Sequence, residues 1–298
     1  MDTTPDLRSL LDSWELHLRA ERKSPQTVSS YLTGVRLFLA WCDAQRVPAV
    51  LNRATVNGFV SQLLDGGAEA STARSRQLAV RRFSAWLVEE GECGTDALLG
   101  LKPPKLDVKV TPVLTDEQLR ALIKACAGRE FRDRRDEAIV RLMVETGLRA
   151  GEVIGIETAD LDLSMGVVVV RRGKGGKGRS VPFGSQTARA IDRYTRLRRA
   201  HRLAESPSLW LGDRGKSLAY YGLHAALTYR ADLAGIPGFH PHVLRHTAAS
   251  RWLAAGGSEG GLMAVAGWTR RDMIDRYTRA TAADRAVVEA RGLNLGDL

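Results

Sequence analysis

Hydrophobic residues recur at helical spacing through the first hundred positions. Leu7, Leu10, Leu11, Trp14 and Leu18 predict an amphipathic helix over residues 6–20, closed by a charged turn at 19–23. Ser24 and Pro25 then supply an N-cap and a first helical residue for a second helix, whose apolar positions are Val28, Tyr31, Leu32, Val35, Phe38, Leu39 and Trp41. A third helix is expected at about 55–64, stopped by Gly66 and Gly67. A fourth, at about 71–90, turns Val80, Phe83, Trp86 and Leu87 inward and puts Arg74, Gln77 and Arg81 on another face. The pattern predicts a four-helix bundle over residues 1–100.

Periodicity then breaks. Residues 101–112, LKPPKLDVKVTP, carry paired prolines and three lysines with no sustained period, as a semi-extended linker does. Beyond it, Thr115 with Gln118 is a capping-box signature, and a helix at about 134–145 buries Ala138, Ile139, Leu142 and Met143 before Gly147 stops it. Val167 to Val170 and Val181 to Phe183 predict two strands joined by a glycine-rich turn, a hairpin with Lys174 and Lys177 near its tip. That turn lacks the GxxxxGK[ST] pattern and a following helix, so no nucleotide site is implied. A basic helix at 185–205, a short apolar piece at Leu209 to Leu211 and a helix at about 217–233 complete this half. The expected fold class is multidomain: an all-α bundle, then a mostly helical α+β domain over 113–298 with a small sheet.

The polar chemistry concentrates at residues 240–280, HPHVLRHTAASRWLAAGGSEGGLMAVAGWTRRDMIDRYTRA. Pro241 suits a helix start, which places His242 and Arg245 three apart on one face, where both can address one anion. Trp268 ends an apolar segment, and Thr269 with Asp272 resembles a capping box opening a helix with Met273, Ile274 and Tyr277 on one side. Gly256, Gly257, Gly260 and Gly261 weaken the helix expected before Trp268. Upstream, Arg149 and Glu152 stand three apart at the start of a helical turn, so the carboxylate can hold the guanidinium. Each of these residues also has an ordinary alternative: a cap, a surface ion pair or a core aromatic.

Length and charge narrow the picture. A chain of 298 residues has room for two cores. Its net charge of +10 is wholly C-terminal: residues 1–100 hold 11 Lys+Arg against 12 Asp+Glu, and residues 101–298 hold 33 against 22. A basic field of this kind suits nucleic acid or another polyanion. In the first hundred residues the stripe Arg74, Arg76, Arg81 and Arg82 is either a polyanion-facing surface or a solvated face. Cys42, Cys93 and Cys126 are too scattered for a disulfide framework or a zinc site and read as reduced. With no apolar run near the roughly 20 residues of a membrane span and a polar start, the expected location is the cytoplasm.

Together, TGLRAGE around Arg149, RGKGGKGR around Lys174, HPHVLRHTAAS with His242 and Arg245, AGW at Trp268 and RYTRA with Tyr277 resemble the motifs of the tyrosine recombinase, or phage-integrase, family, in the same order. The N-terminal bundle is similar to that family's SAM-like core-binding domain. The resemblance implies a site-specific DNA recombinase in which Tyr277 attacks a phosphodiester to give a 3′-phosphotyrosyl link. Arg149 and Arg245 would bind the phosphate, His242 would take part in proton transfer, Lys174 would protonate the departing 5′ oxygen, and Glu152 would steady Arg149. Trp268 stands where the pattern has a second histidine, so it is expected to bind and pack rather than move a proton. Arg74, Arg76, Arg81 and Lys177 are candidate DNA contacts. The family likeness further implies no cofactor, metal or ATP. It also implies double-stranded DNA with inverted-repeat core sites as partner, a monomer in solution that becomes a tetramer on DNA, a possible accessory protein, and a tail at 281–298 that packs on a neighbouring protomer. The alternatives are a DNA-binding protein of the same fold without strand exchange and a type IB topoisomerase-like enzyme.

Overall fold

The computed structural model describes residues 6–106, 112–171, 178–213, 215–271 and 273–274, and the chain divides into two compact units, 1–109 and 110–298. The first unit is four helices: α1 (Leu11–Ala20), α2 (Pro25–Gln45), α3 (Arg53–Asp65) and α4 (Ala70–Glu89). Local signals fix two of the starts. The Ser24 side chain accepts from the Thr27 N–H with Pro25 behind it, and Asn52 does the same for Thr55. The first helix begins at Leu11 rather than at residue 6, with residues 7–10 in turns, yet Leu7 is still buried.

The core of this unit is aromatic. Trp14 meets Phe83 at 4.9 Å between ring centroids, and Phe38 meets Phe59 edge-on at 5.6 Å, both within the range of favourable tilted pairs. Leu98 and Leu101 join the same cluster, so residue 101, expected to open the linker, packs here. Gln77 is also a correction: instead of sharing a polar face with Arg74 and Arg81 it is buried, with Nε2 donating to the Lys102 carbonyl at 3.3 Å. Arg74 and Arg82 are exposed, whereas Arg76 and Arg81 are half-buried.

The second unit runs α5 (Asp116–Ala125), α6 (Phe131–Thr146), α7 (Ala150–Ile154), β1 (Leu161–Asp162), β2 (Val167–Val170), β3 (Arg179–Pro182), α8 (Ser185–Arg198), α9 (Tyr220–Leu233), α10 (His242–Ala254) and α11 (Glu259–Ala266). The capping box of Thr115 and Gln118 forms, and Gly147, at φ 65°, ends α6 in the left-handed conformation that glycine adopts without penalty. The three strands pair antiparallel in the order β1-β2-β3, with Val168 opposite Val181 and Val170 opposite Arg179. The third strand, β1, was not expected. Ile139 and Met143 of α6, Ile191 and Tyr194 of α8, Leu223 and Leu227 of α9, and Val168 and Val181 of the sheet share one core. The mixed architecture expected from the sequence, an all-α bundle followed by a mostly helical unit with a small sheet, is what forms.

Buried ions tie this unit together. Asp136 of α6 accepts from Arg135 Nε at 3.0 Å and from Arg230 Nε of α9 at 2.9 Å, and Arg230 also reaches Asp133 and the Ala125 carbonyl that ends α5. The expected basic helix at 185–205 stops at Arg198, whose guanidinium turns inward onto the carbonyls of Ala204, Ser206, Ser208 and Leu209. Cys126 lies against this network, and burial first of all pushes its thiol up to about 12, so it is no nucleophile. Of the four glycines before Trp268, Gly256 and Gly257 lie in the turn after α10, whereas Gly260 and Gly261 are inside α11, whose start Ser258 caps by accepting the Gly261 N–H. Among the described residues no helix is long and apolar enough to cross a membrane. The capping box of Thr269 and Asp272 and the tail at 281–298 involve positions outside the described residues.

Among the glycines of the first unit the tightest is Gly34 of α2, where an added Cβ would lie 2.5 Å from Ala79 Cβ of α4. Gly34→Ala gains about 1 kcal/mol of helix propensity, but forcing two fixed helix backbones apart costs about 1–3 kcal/mol. Its urea-unfolding midpoint is therefore expected to fall; a midpoint at or above that of the parent chain would show that α2 and α4 yield at this contact.

Candidate active site

The site is built where three helix ends meet. After Gly147, buried Leu148 leads to Arg149, the N-cap of α7. Glu152, three residues on, returns its carboxylate to that cap: Oε2 accepts the Arg149 backbone N–H at 2.9 Å and Oε1 accepts Nη1 at 2.9 Å. A second guanidinium, from Arg179 at the start of β3, donates Nη1 to Oε1 at 3.1 Å and Nη2 to Oε2 at 2.9 Å. The Glu152 side chain is 6% exposed, against 28% for Arg149. This is a buried carboxylate between two cations rather than a surface ion pair, so its removal leaves charges without their partner.

Burial alone raises the Glu152 carboxyl, but hydrogen bonds and charge from Arg179 and then Arg149 outweigh it and hold the group below its ordinary 4.5. The group therefore stays ionised through the neutral range, and the local charge of the trio remains positive.

Arg245 lies one turn into α10 and is 2% exposed. Its Nη1 donates to the Gly147 carbonyl at 2.6 Å and its Nη2 to the Ala266 carbonyl at 2.9 Å. These are carbonyls at the C-terminal ends of α6 and α11, which otherwise want partners. Trp268 is buried, and the Arg245 guanidinium carbon lies 5.1 Å from its ring centroid, a cation–π contact. His242, the first residue of α10, is exposed, with its ring 4.4 Å from that of His246 one turn on.

The structure thus brings Arg149, Glu152, Arg245 and Trp268 into one connected neighbourhood, with His242 a turn before Arg245 on the same helix. Lys174, Lys177 and Tyr277 lie outside the described residues. Arg74, Arg76 and Arg81 belong to the other unit. Sequence reasoning missed Arg179, whose partners are 27 and 86 residues away. The only local hint is a cation opening a strand whose next inward residue is Val181. Among the described residues no cluster of His, Cys, Asp or Glu could hold a metal ion.

Such a centre, cationic and arginine-rich with a histidine at its edge, suits the binding of an oxyanion rather than of a metal. Residues 112–284 match the model of the phage integrase family, and residues 11–91 match the N-terminal SAM-like domain of phage integrases. The chain belongs to the phage integrase family of tyrosine recombinases. A tyrosine recombinase XerC of Mycobacterium sp. (strain KMS) is 33% identical over 291 residues, covering 93% of this chain and 96% of that relative. The fold is similar to that of the XerH site-specific recombinase bound to a palindromic difH substrate in a post-cleavage complex, with a TM-score of 0.73 at 15% identity, covering 97% of this chain and 84% of the other. A lambda integrase tetramer bound to a Holliday junction gives a TM-score of 0.69 at 15% identity, covering 89% and 77%. As a tyrosine recombinase the chain is a site-specific, DNA strand-transferring enzyme.

In this recombinase Arg245 holds the fold as well as the site. Arg245→Ala leaves the Gly147 and Ala266 carbonyls without this donor, and a loss of about 1–3 kcal/mol of unfolding free energy is expected. Denaturant unfolding checks it, and an unchanged midpoint would mean water replaces the guanidinium at no cost.

Glu152 gives a pH signature. Its folded-state value lies below the unfolded one, so its stabilisation is present above about 4.5 and is lost as pH falls through the lower folded value. The stability gap between the parent chain and Glu152→Gln should accordingly be wide at pH 7 and close at acid pH; a gap independent of pH would show that the charge of Glu152 is immaterial.

Proposed function

We propose that this recombinase cuts and rejoins DNA through a 3′-phosphotyrosyl intermediate formed on Tyr277. The observation that carries the reading is the shared footing of the two arginines: Arg245 donates to the carbonyl of Gly147, two residues before Arg149, which Glu152 in turn holds. Two guanidinium forks on one rigid frame can grip the non-bridging oxygens of a phosphodiester as charge builds, and a preorganised donor of this kind contributes about 3 kcal/mol to lowering the barrier.

The Tyr277 oxygen bonds to phosphorus in line with the departing 5′ oxygen, whose bond to phosphorus breaks. A tyrosine is nearly all neutral at pH 7, with an ordinary pKa of about 10, so His242 assists removal of its proton. Lys174 gives a proton to the 5′ oxygen. The bond energy stays in the phosphotyrosine, so a second 5′-hydroxyl can reverse the step without ATP or a metal ion. Trp268 packs against Arg245 and keeps the guanidinium in place. By contrast the Tyr194 phenol is a structural group: it is buried, donates to the Leu209 carbonyl at 2.9 Å, and burial above all pushes it up to about 12.

The remaining assignments follow from the family. Residues 1–100 form a DNA-binding, core-binding domain joined by a linker at 101–112 to the catalytic domain at 113–298. Arg74, exposed on α4, is the best placed of its candidate DNA contacts, with the half-buried Arg76 and Arg81 on the same helix; Lys177 is the candidate contact of the catalytic domain. The partner is cytoplasmic double-stranded DNA with inverted-repeat core sites, on which a solution monomer assembles as a tetramer through the 281–298 tail, with an accessory protein where one is required. The tetrameric lambda integrase complex of similar fold supports that assembly.

A nicked suicide duplex bearing inverted repeats found beside the gene tests the chemistry. Wild type is expected to give an SDS-resistant protein–DNA adduct and Tyr277→Phe none, while Lys174→Ala slows adduct formation by roughly 100- to 10,000-fold. An adduct persisting in Tyr277→Phe would remove the phenol from the mechanism.

A further inference from the structure

Arg179 has no part in the reaction just described, yet its environment is as fixed as that of any residue in the site. Its side chain is 13% exposed. Both Nη atoms engage the two oxygens of Glu152, and Nε donates to the Val265 carbonyl in the last turn of α11 at 2.8 Å. The backbone is shaped to admit it: Gly267 sits at φ 64°, and a Cβ there would come within 2.9 Å of the Arg179 guanidinium carbon.

Glu152 is therefore gripped twice, by Arg149 through its backbone N–H and Nη1 and by Arg179 through a two-point fork. A glutamate held by one partner keeps much of its rotamer freedom, whereas one held by a planar bidentate cation on a strand does not. The orientation of Arg149 is then set by a carboxylate that is itself immobilised. We propose that Arg179 is a positioning residue for strand cleavage, acting through Glu152 to hold Arg149 in the orientation that meets the scissile phosphate. The inference rests on the assignment of Arg149 as a phosphate-binding group.

The test compares two suicide duplexes, one with the natural scissile phosphodiester and one in which a neutral methylphosphonate replaces it. Removing the negative charge lessens the need for Arg149, so a defect that works through Arg149 shrinks on the neutral substrate. A general fold defect lowers both rates alike. Arg179→Gln is expected to slow single-turnover adduct formation on the phosphodiester by about 10- to 100-fold, the range typical of removing a group that orients a primary ligand, and by less than about 3-fold on the methylphosphonate. Arg149→Ala should show the same dependence on substrate. Arg179→Lys keeps a cation but cannot reach both Glu152 oxygens and the Val265 carbonyl at once, so it should fall on the same side as Arg179→Gln. Equal losses on both duplexes, no loss on either, or full activity in Arg179→Lys would overturn the proposal. If wild type forms no adduct with the phosphodiester, the assignment of Tyr277 fails instead, and the two failures are told apart.

Discussion

The second unit depends on the satisfaction of carbonyls at helix ends by buried guanidinium groups. An α-helix leaves its last four C=O groups without intrahelical partners, and a helix end inside a protein has no water to supply them. Here Arg245 serves Gly147 after α6 and Ala266 at the end of α11, Arg179 serves Val265, Arg230 serves Ala125 at the end of α5, and Arg198 serves the turn after α8. Arginine suits this work because its donors form a rigid planar fork and its charge cannot be lost. The same property suits phosphate binding. One residue, Arg245, therefore sits where structural and chemical demands coincide, which explains why the site is built at helix ends rather than on a loop.

That coincidence bears on how much the sequence disclosed. Signals that act over three or four residues were legible: Ser24 with Pro25, Thr115 with Gln118, Gly147 as a stop, and Arg149 with Glu152 all form as their spacing implied. So did the antiparallel pairing of the two expected strands and the order of the helices, because alternation and helical period are local properties of the chain. The family motifs were legible for a different reason, since they pin residue types to an order that composition alone would not produce.

What escaped was long-range and polar. The expected basic helix at 185–205 carries six arginines between 189 and 202, but Arg198 is drawn inward by carbonyls of the turn that follows, one of which, that of Leu209, also accepts from the Tyr194 phenol. Gln77 was placed with the arginines of α4 by helical geometry, yet the Lys102 carbonyl of the following stretch claims it. Arg179 escaped most completely, since neither Glu152 nor Val265 is near it in the chain. In each case a polar side chain is claimed by a partner outside its own helix or strand, and such a pairing is a tertiary fact with no local trace.

Trp268 shows how such a frame constrains chemistry. A histidine at this position could accept and return a proton, whereas an indole can only donate. In this chain the ring is buried and lies against the Arg245 guanidinium, so it acts on the orientation of a cation. Two consecutive carbonyls before it, Val265 and Ala266, are held by Arg179 and Arg245, and Gly267 turns the backbone so that the indole follows directly. The segment leading toward Tyr277 thus leaves α11 from a point anchored by two guanidinium groups. Proton movement in the proposed reaction falls to His242 and Lys174, and the immobile part of the centre is left with a purely electrostatic task, which is the division of labour that a preorganised phosphate site favours.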